Sequence, residues 1–424
     1  MQLPVPEPGP DAAVDFVREH LGDLTCDEPE ASGAFRGGQT AADAALAALD
    51  ITGYARQRNE VWPPEARGAT RVSPYIRYSL LDLPTMWDAV ADAPARDRTK
   101  FRDELAWQEY ARHVYARLGR DGEQTLAEDL RARPPRPAHP WDEPWPRDMN
   151  CMDATLSELH DDGWLVNQTR MWLSSQWTVR AGARWRDGEE EFFTHLLDGS
   201  RAANRLGWQW TIGAGNGKAY GFSRHQVQRR APKLCQECLL RSDCPIADWP
   251  QDQDTGRLEP QPLLRSDPDP GVTGGPAGSP GGSGGSGGSE VDAVWLTAES
   301  LGDADPALVA HPEAPAVFCF DEPLLRTLRL SGKRLVFLTE TLADLATRRP
   351  VELRRGRATE ELADRRLAVT FAPVPGFRRR SQRLAPIEVH PWRWLFRPRT
   401  GRIQSYTAWR KGMPARPDTE PARL

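Results

Sequence analysis

The 424-residue chain carries a formal net charge of −5, with 39% apolar and 27% charged residues. That length exceeds one ordinary core, so two domains and a linker are expected. The sequence holds no run of eighteen or more apolar residues, which a membrane span needs, and its N-terminus lacks the basic and apolar regions of a secretory signal. A cytoplasmic, monomeric protein without a membrane partner is expected.

In chain order, residues 1–250 read mainly as helices. Residues 40–59 place Ala42, Ala45, Leu46, Leu49 and Ile51 at helical spacing, and residues 101–118 repeat the pattern with Leu105, Tyr110 and Val114. Between them, Ser73 suits a helix cap and Pro74 a first helical position. The proline-rich stretch 131–146 cannot be regular helix. Helical patterning resumes at 152–160, 168–180 and 189–197.

Residues 251–290 read as a flexible linker, ending in a Gly/Ser-rich run without side chains for a core. Residues 291–424 then alternate short apolar runs with helix-compatible stretches. The runs at 291–297, 316–320 and 334–338 are strand-like, and 322–330 and 342–347 helical. A small α/β, Rossmann-like domain with a parallel sheet is expected.

Two basic clusters stand out: Arg224, His225, Arg229, Arg230 and Lys233, then Arg378, Arg379, Arg380 and Arg383. Either suits phosphate contacts, and either suits plain solvated surface. Of the 16 tryptophans, most precede residue 250. Indoles usually serve core packing, and they also suit a flavin pocket with electron relays.

Six cysteines in a cytoplasmic protein argue against disulfides. Cys235-Gln236-Glu237-Cys238 followed by Cys244-Pro245 is a tight thiolate-bearing loop pattern. Such a loop, joined by Cys151 as a fourth thiolate, suits an iron–sulfur cluster or zinc.

The most specific signal lies at 163–210. Gly163-Trp164-Leu165-Val166-Asn167-Gln168-Thr169-Arg170-Met171 is followed by Trp185-Arg186-Asp187-Gly188-Glu189, then by Asp198-Gly199-Ser200 and Asn204 to Trp210. Upstream, Tyr54 with Arg58, Thr70 to Pro74, and Glu104 to His113 fall in matching order. Together these motifs resemble the FAD-binding photolyase/cryptochrome family over roughly residues 35–225.

That resemblance implies an all-helical FAD-binding domain over 1–250, with Tyr54, Thr70, Ser73, Glu104, Asn167, Arg170, Asp198 and Asn204 holding the cofactor. Thr70 and Ser73 would meet the phosphates at a helix start. Arg170 and Asp198 would pair beside the isoalloxazine. Asn204 would face flavin N5, where an amide cannot readily hand over a proton, favouring the fully reduced state. Trp208 and Trp185 match the inner members of an electron chain. The third member's expected position falls near Ala132, with Trp141 or Trp145 as stand-ins if the fold brings them close.

Glu104, Trp107, Met171, Asn204 and Trp210 match residues acting on a flipped pyrimidine dimer, so damaged DNA is the implied partner. Gln108, Gln168 and Ser200 depart from the family pattern. The implied function is light-dependent DNA repair, by electron transfer from reduced FAD to a pyrimidine photoproduct. The alternatives are a cryptochrome-like photoreceptor and a non-repairing FAD/iron–sulfur redox protein. Within the family, an iron–sulfur branch places one cysteine before the flavin motif and three after it. This resemblance implies a [4Fe–4S] cluster on Cys151, Cys235, Cys238 and Cys244, with zinc as alternative. Residues 294–308 and 315–321 faintly resemble the family's N-terminal α/β antenna domain, which implies a permuted domain order; the family's arginines in the first segment are missing, and any antenna chromophore is unknown.

Overall fold

The computed structural model describes residues 1–119, 141–214, 217–249, 259–277 and 291–414. Ala132 lies outside them, as does the Gly/Ser-rich run from residue 278. The chain forms two compact units, an α/β unit (Met1–Leu49, Val72–Ala89, Asp269–Arg399) and a helical unit (Asp50–Arg71, Val90–Pro268, Thr400–Leu424). This division departs from boundaries at 250 and 291, because long-range pairing outweighs chain order at both ends.

The α/β unit is built on six strands: β1 (Gln2–Leu3), β2 (Ala293–Leu296), β3 (Ala316–Asp321), β4 (Val351–Gly356), β5 (Leu367–Thr370) and β6 (Glu388–His390). Their spatial order is β1-β4-β3-β2-β5-β6. Five strands are parallel, as the strand–helix alternation implies, and β1 adds antiparallel to β4 at one edge. The sequence AVWL of β2 is buried throughout, the reading of a parallel strand covered on both faces. Asp305 accepts from the amides of Ala307 and Leu308 at 2.9 and 3.0 Å, starting the Pro306–Ala310 helix.

The apolar run 334–338 is helix rather than strand, part of Gly332–Ala346. Leu335, Val336 and Phe337 are all buried, and the helix packs against Pro10–Leu21. A short run buried all round carries no periodicity by which strand and helix differ. Burying each such side chain contributes about 2 kcal/mol.

In the helical unit the Ala95–Leu118 helix buries Leu105, Tyr110 and Val114 as the spacing predicts. Residues 40–59 do not form one helix. Gln39–Ala47 ends at Ala48, Gly53 turns the chain at φ 81°, and Tyr54–Gln57 follows. In the α/β unit, the Ser73–Arg77 helix begins one residue earlier than expected, so Val72 takes the cap position. Asn150–Asp161, Asn167–Ser175 and Trp185–His195 fall where helical patterning was read, and Arg201–Thr211 is a further helix. A π-turn, Gln176–Arg180, prolongs the second of these. Arg201–Thr211 touches Ala95–Leu118, Asn167–Ser175 and Trp185–His195, which sets its residues at the centre of the unit.

The described residues of 251–290 include two short helices. Pro262–Arg265 and Pro270–Gly274 are short helices opened by prolines. Leu264 and Asp267 are buried, the latter beside Arg117 at 3.4 Å.

Candidate functional site

The central helix of the helical unit is held by ion pairs that the motif around Glu189 supplies. Glu189 is buried, and its Oε2 accepts from Arg201 at 2.8 Å while Arg205 lies at 3.6 Å. Burial raises the Glu189 carboxyl above its ordinary value, and the two arginines offset only part of that. Arg201 also lies 3.8 Å over the Phe193 ring. Gly188 has a steric reason: a Cβ there would stand 2.2 Å from the Trp208 indole and 2.9 Å from Trp177. Two of the motif's five residues therefore act by packing Trp185–His195 onto Arg201–Thr211.

Around this scaffold sit the residues expected to hold a cofactor. Arg170 donates through its NH2 group to Asp198 Oδ2 at 2.7 Å and through Nε to the Leu165 carbonyl at 3.0 Å. The Asp198 side chain is 6% exposed and that of Arg170 22%. Asp198 Oδ1 and Asn204 Nδ2 are buried with no hydrogen-bond partner among the described residues. Each such orphan costs about 1–3 kcal/mol unless a ligand pairs it. An open acceptor on Asp198, itself paired with Arg170, and an open donor on Asn204 are groups that a heterocycle such as isoalloxazine would pair.

Tyr54 is buried edge-on against Phe101 at 5.2 Å. Thr70 is half-buried, and Asn167 is exposed at the start of Asn167–Ser175. Ser73 belongs to the α/β unit, so the helical unit does not itself bring it to Asp198 and Asn204.

Glu104 is engaged by cations, with Lys100 Nζ at 2.8 Å and Arg58 Nε at 3.2 Å. The Trp107 indole lies flat on Tyr406, 3.9 Å between centroids and 9° from parallel. The Tyr406 hydroxyl donates to Asp103 Oδ1 at 2.5 Å, and Trp409, fully buried, donates from Nε1 to His113 Nδ1 at 2.9 Å. Met171 is half-buried, and Trp210 is 36% exposed. Gln168 donates to the Tyr220 hydroxyl at 2.9 Å, and that ring lies 5.8 Å from Trp210. The residue departing from the family pattern thus buttresses an expected substrate wall.

Trp208 is buried, with Phe192 at 5.1 Å, Trp177 at 6.4 Å and Trp145 at 6.5 Å. Trp145 and Trp177 are 4.6 Å apart. Trp185 and Trp141 pack half-buried on the same core.

The four expected cysteine ligands come together. Cys151, Cys235, Cys238 and Cys244 line one recess with Met149, Leu234, Leu240, Ile246, Arg224 and Arg241. Burial, then the neighbouring thiols Cys235, Cys244 and Cys238, push the Cys151 thiol far above its ordinary value. Arg180 donates to the Phe222 carbonyl at 2.6 Å and to the Asp248 carbonyl. Burial pushes it down to about 10, against the opposing pull of Cys244, Asp248 and Cys151. Four thiols ringed by arginines suit a thiolate-bound metal centre of net negative charge. Sequence reasoning missed Arg180, which lies between motifs, and Tyr406, whose only signal was the aromatic, basic character of residues 389–411.

The basic clusters are partly spent on internal pairs. Arg230 pairs with Glu60, and Arg380 with Asp321 at 3.1 Å. No helix among the described residues is long and apolar enough to cross a membrane.

Residues 101–233 match the family model for the FAD binding domain of DNA photolyase. A deoxyribodipyrimidine photo-lyase of Synechococcus sp. is 31% identical over 201 residues, covering 42% of this chain and 39% of that one. One from Thermus thermophilus is 30% identical over 219 residues, covering 50% and 44%. A crystal structure of a class III photolyase from Agrobacterium tumefaciens aligns with TM-score 0.41 at 25% identity, covering 46% of this chain and 43% of that one. The chain thus spans about two-fifths of the length of the curated relatives it matches. Over residues 101–233 the chain is thus similar to the FAD binding domain of DNA photolyase.

Proposed function

We propose that the protein is a photolyase-like flavoprotein that repairs a pyrimidine photoproduct in damaged DNA under light. The observation that carries this reading is the buried Arg170–Asp198 pair with the open polar atoms of Asp198 and Asn204, inside the matched domain. FAD, when bound and reduced, supplies the electron that light promotes. Arg170 and Asp198 orient the ring and place positive charge beside it. The Asn204 amide offers a hydrogen bond without a transferable proton. Tyr54, Thr70 and Asn167 complete the cradle within the helical unit. Glu104, Trp107, Met171 and Trp210 form the face toward the photoproduct, the aromatics by stacking. Trp208 and Trp185 are the inner members of an electron relay, and Trp145 takes the outer position.

The thiol recess holds a [4Fe–4S] cluster on Cys151, Cys235, Cys238 and Cys244 in this reading, with zinc the alternative. Arg180, Arg224 and Arg241 offset its negative charge. Iron and sulfide assays with a visible spectrum separate the two: colourless, zinc-containing protein after flavin removal rejects the cluster.

A second reading, a blue-light photoreceptor that does not repair, is favoured by one observation: Tyr406 covers the stacking face of Trp107. The test irradiates reduced protein with a dimer-containing oligonucleotide. Light-dependent reversal supports repair. Flavin photoreduction without dimer binding or reversal supports the photoreceptor.

A further inference from the structure

At the β6 edge of the sheet three metal-ligating side chains converge. Glu388 and His390 lie two residues apart on β6, so strand alternation turns both to one face. His311 follows the Pro306–Ala310 helix and approaches the same point. His311 Nε2 lies 2.8 Å and His390 Nε2 3.0 Å from a single oxygen, Glu388 Oε2. The two imidazole rings are 5.6 Å apart and nearly perpendicular. The ligand atoms of all three lie within 4.8 Å of one another.

We propose that His311, Glu388 and His390 form a site for a borderline divalent transition-metal ion, zinc being the type. Two imidazole nitrogens and one carboxylate oxygen are a donor set such ions select, and one position stays open to water or a small anion. Metal–ligand bonds of about 2.0–2.2 Å in a tetrahedron set ligand atoms about 3.4 Å apart. Side-chain movements of about half an ångström therefore convert the present hydrogen bonds into coordination.

The positions are fixed from behind. Arg349 donates to the carbonyls of His311 and Pro312 at 2.7 and 2.8 Å, holding the turn that carries His311. His390 pairs in register with Thr370, and its carbonyl accepts from the Phe371 amide at 2.8 Å. The three side chains are 15–33% exposed, buried enough to be held and open enough for exchange. Bound metal would tie the edge strand to the Pro306–Ala310 helix, joining segments 77 residues apart in sequence.

The site and the proposed flavin chemistry share no residue. The test loads full-length protein with one equivalent of Cu2+ and records its EPR spectrum, then measures Zn2+ uptake by equilibrium dialysis with elemental analysis. Hyperfine structure from two nitrogens, together with loss of one zinc equivalent in both His311→Ala and His390→Gln, is expected, while iron, sulfide and flavin contents stay as in the parent. Wild-type protein without nitrogen hyperfine structure, or zinc uptake unchanged in both folded variants, overturns the site. If either histidine variant fails to fold, Glu388→Gln replaces it, with the same loss of zinc expected. The wild-type spectrum alone still decides.

Discussion

Tyr406 lies flat on Trp107, 3.9 Å between ring centroids, and its hydroxyl is fastened to Asp103. The two residues are some 300 residues apart in the sequence, yet both belong to the helical unit. A photoproduct stacking on that indole face has to displace the tyrosine. Tyr406→Ala opens the face, and dimer affinity is expected to rise about tenfold, since a stacked pair contributes up to about 1.5 kcal/mol. Stability should fall by about 2 kcal/mol, because the ring is only half-buried. Dimer-oligonucleotide titration and urea unfolding check the two numbers. Unchanged dimer affinity means the Trp107 face takes no part in binding.

Asp198→Asn keeps the shape of the side chain and removes its charge. Arg170 then loses its partner, and one-sided removal from a buried pair is more costly than the pair is worth. Flavin content after gel filtration should fall at least about tenfold, equivalent to about 1.4 kcal/mol of binding. Asp198→Glu should recover part of it.

Gly188→Ala puts a methyl group where the Trp208 indole stands, at 2.2 Å. Overpacking of this kind costs about 1–3 kcal/mol. Chemical unfolding should register that loss, and tryptophan fluorescence should shift because Trp208 and Trp177 both have to move.

Glu352 gives a pH dependence with a definite sign. Burial pushes its carboxyl up, but hydrogen bonds from Arg365 and Arg354, both at 2.7 Å, outweigh it and hold the group below its ordinary value of 4.5. A carboxyl lowered by folding contributes stability above 4.5, and this is lost as pH falls through the lower folded-state value. Glu352→Gln should therefore be less stable than the parent at pH 7, with the gap narrowing below 4.5. Urea unfolding at several pH values reads it. A gap that widens in acid contradicts the assignment.

What could be read from residue order was local. Leu105, Tyr110 and Val114 announce their helix, and Cys235, Cys238 and Cys244 announce a thiol loop, because both signals fit within a few turns of chain. Cys151 joins that recess across more than eighty residues, and there family resemblance supplied what spacing could not. Residues 334–338 misled because a helix buried on every side shows no polar face. Gln2–Leu3 pairs with β4 some 350 residues away, a contact that two residues cannot signal. Arg180 lies between motifs, and Tyr406 meets Trp107 and Asp103 across some 300 residues, a contact that no local pattern signals.

The proposed flavin site around Arg170, Asp198 and Asn204 works by light. The most direct measurement is the absorption spectrum of purified protein before and after blue light, with an external electron donor present. An oxidised-flavin spectrum that bleaches on illumination is expected, and Asp198→Asn should not retain it. Protein without flavin after reconstitution with FAD, or bound flavin unchanged by light, contradicts it.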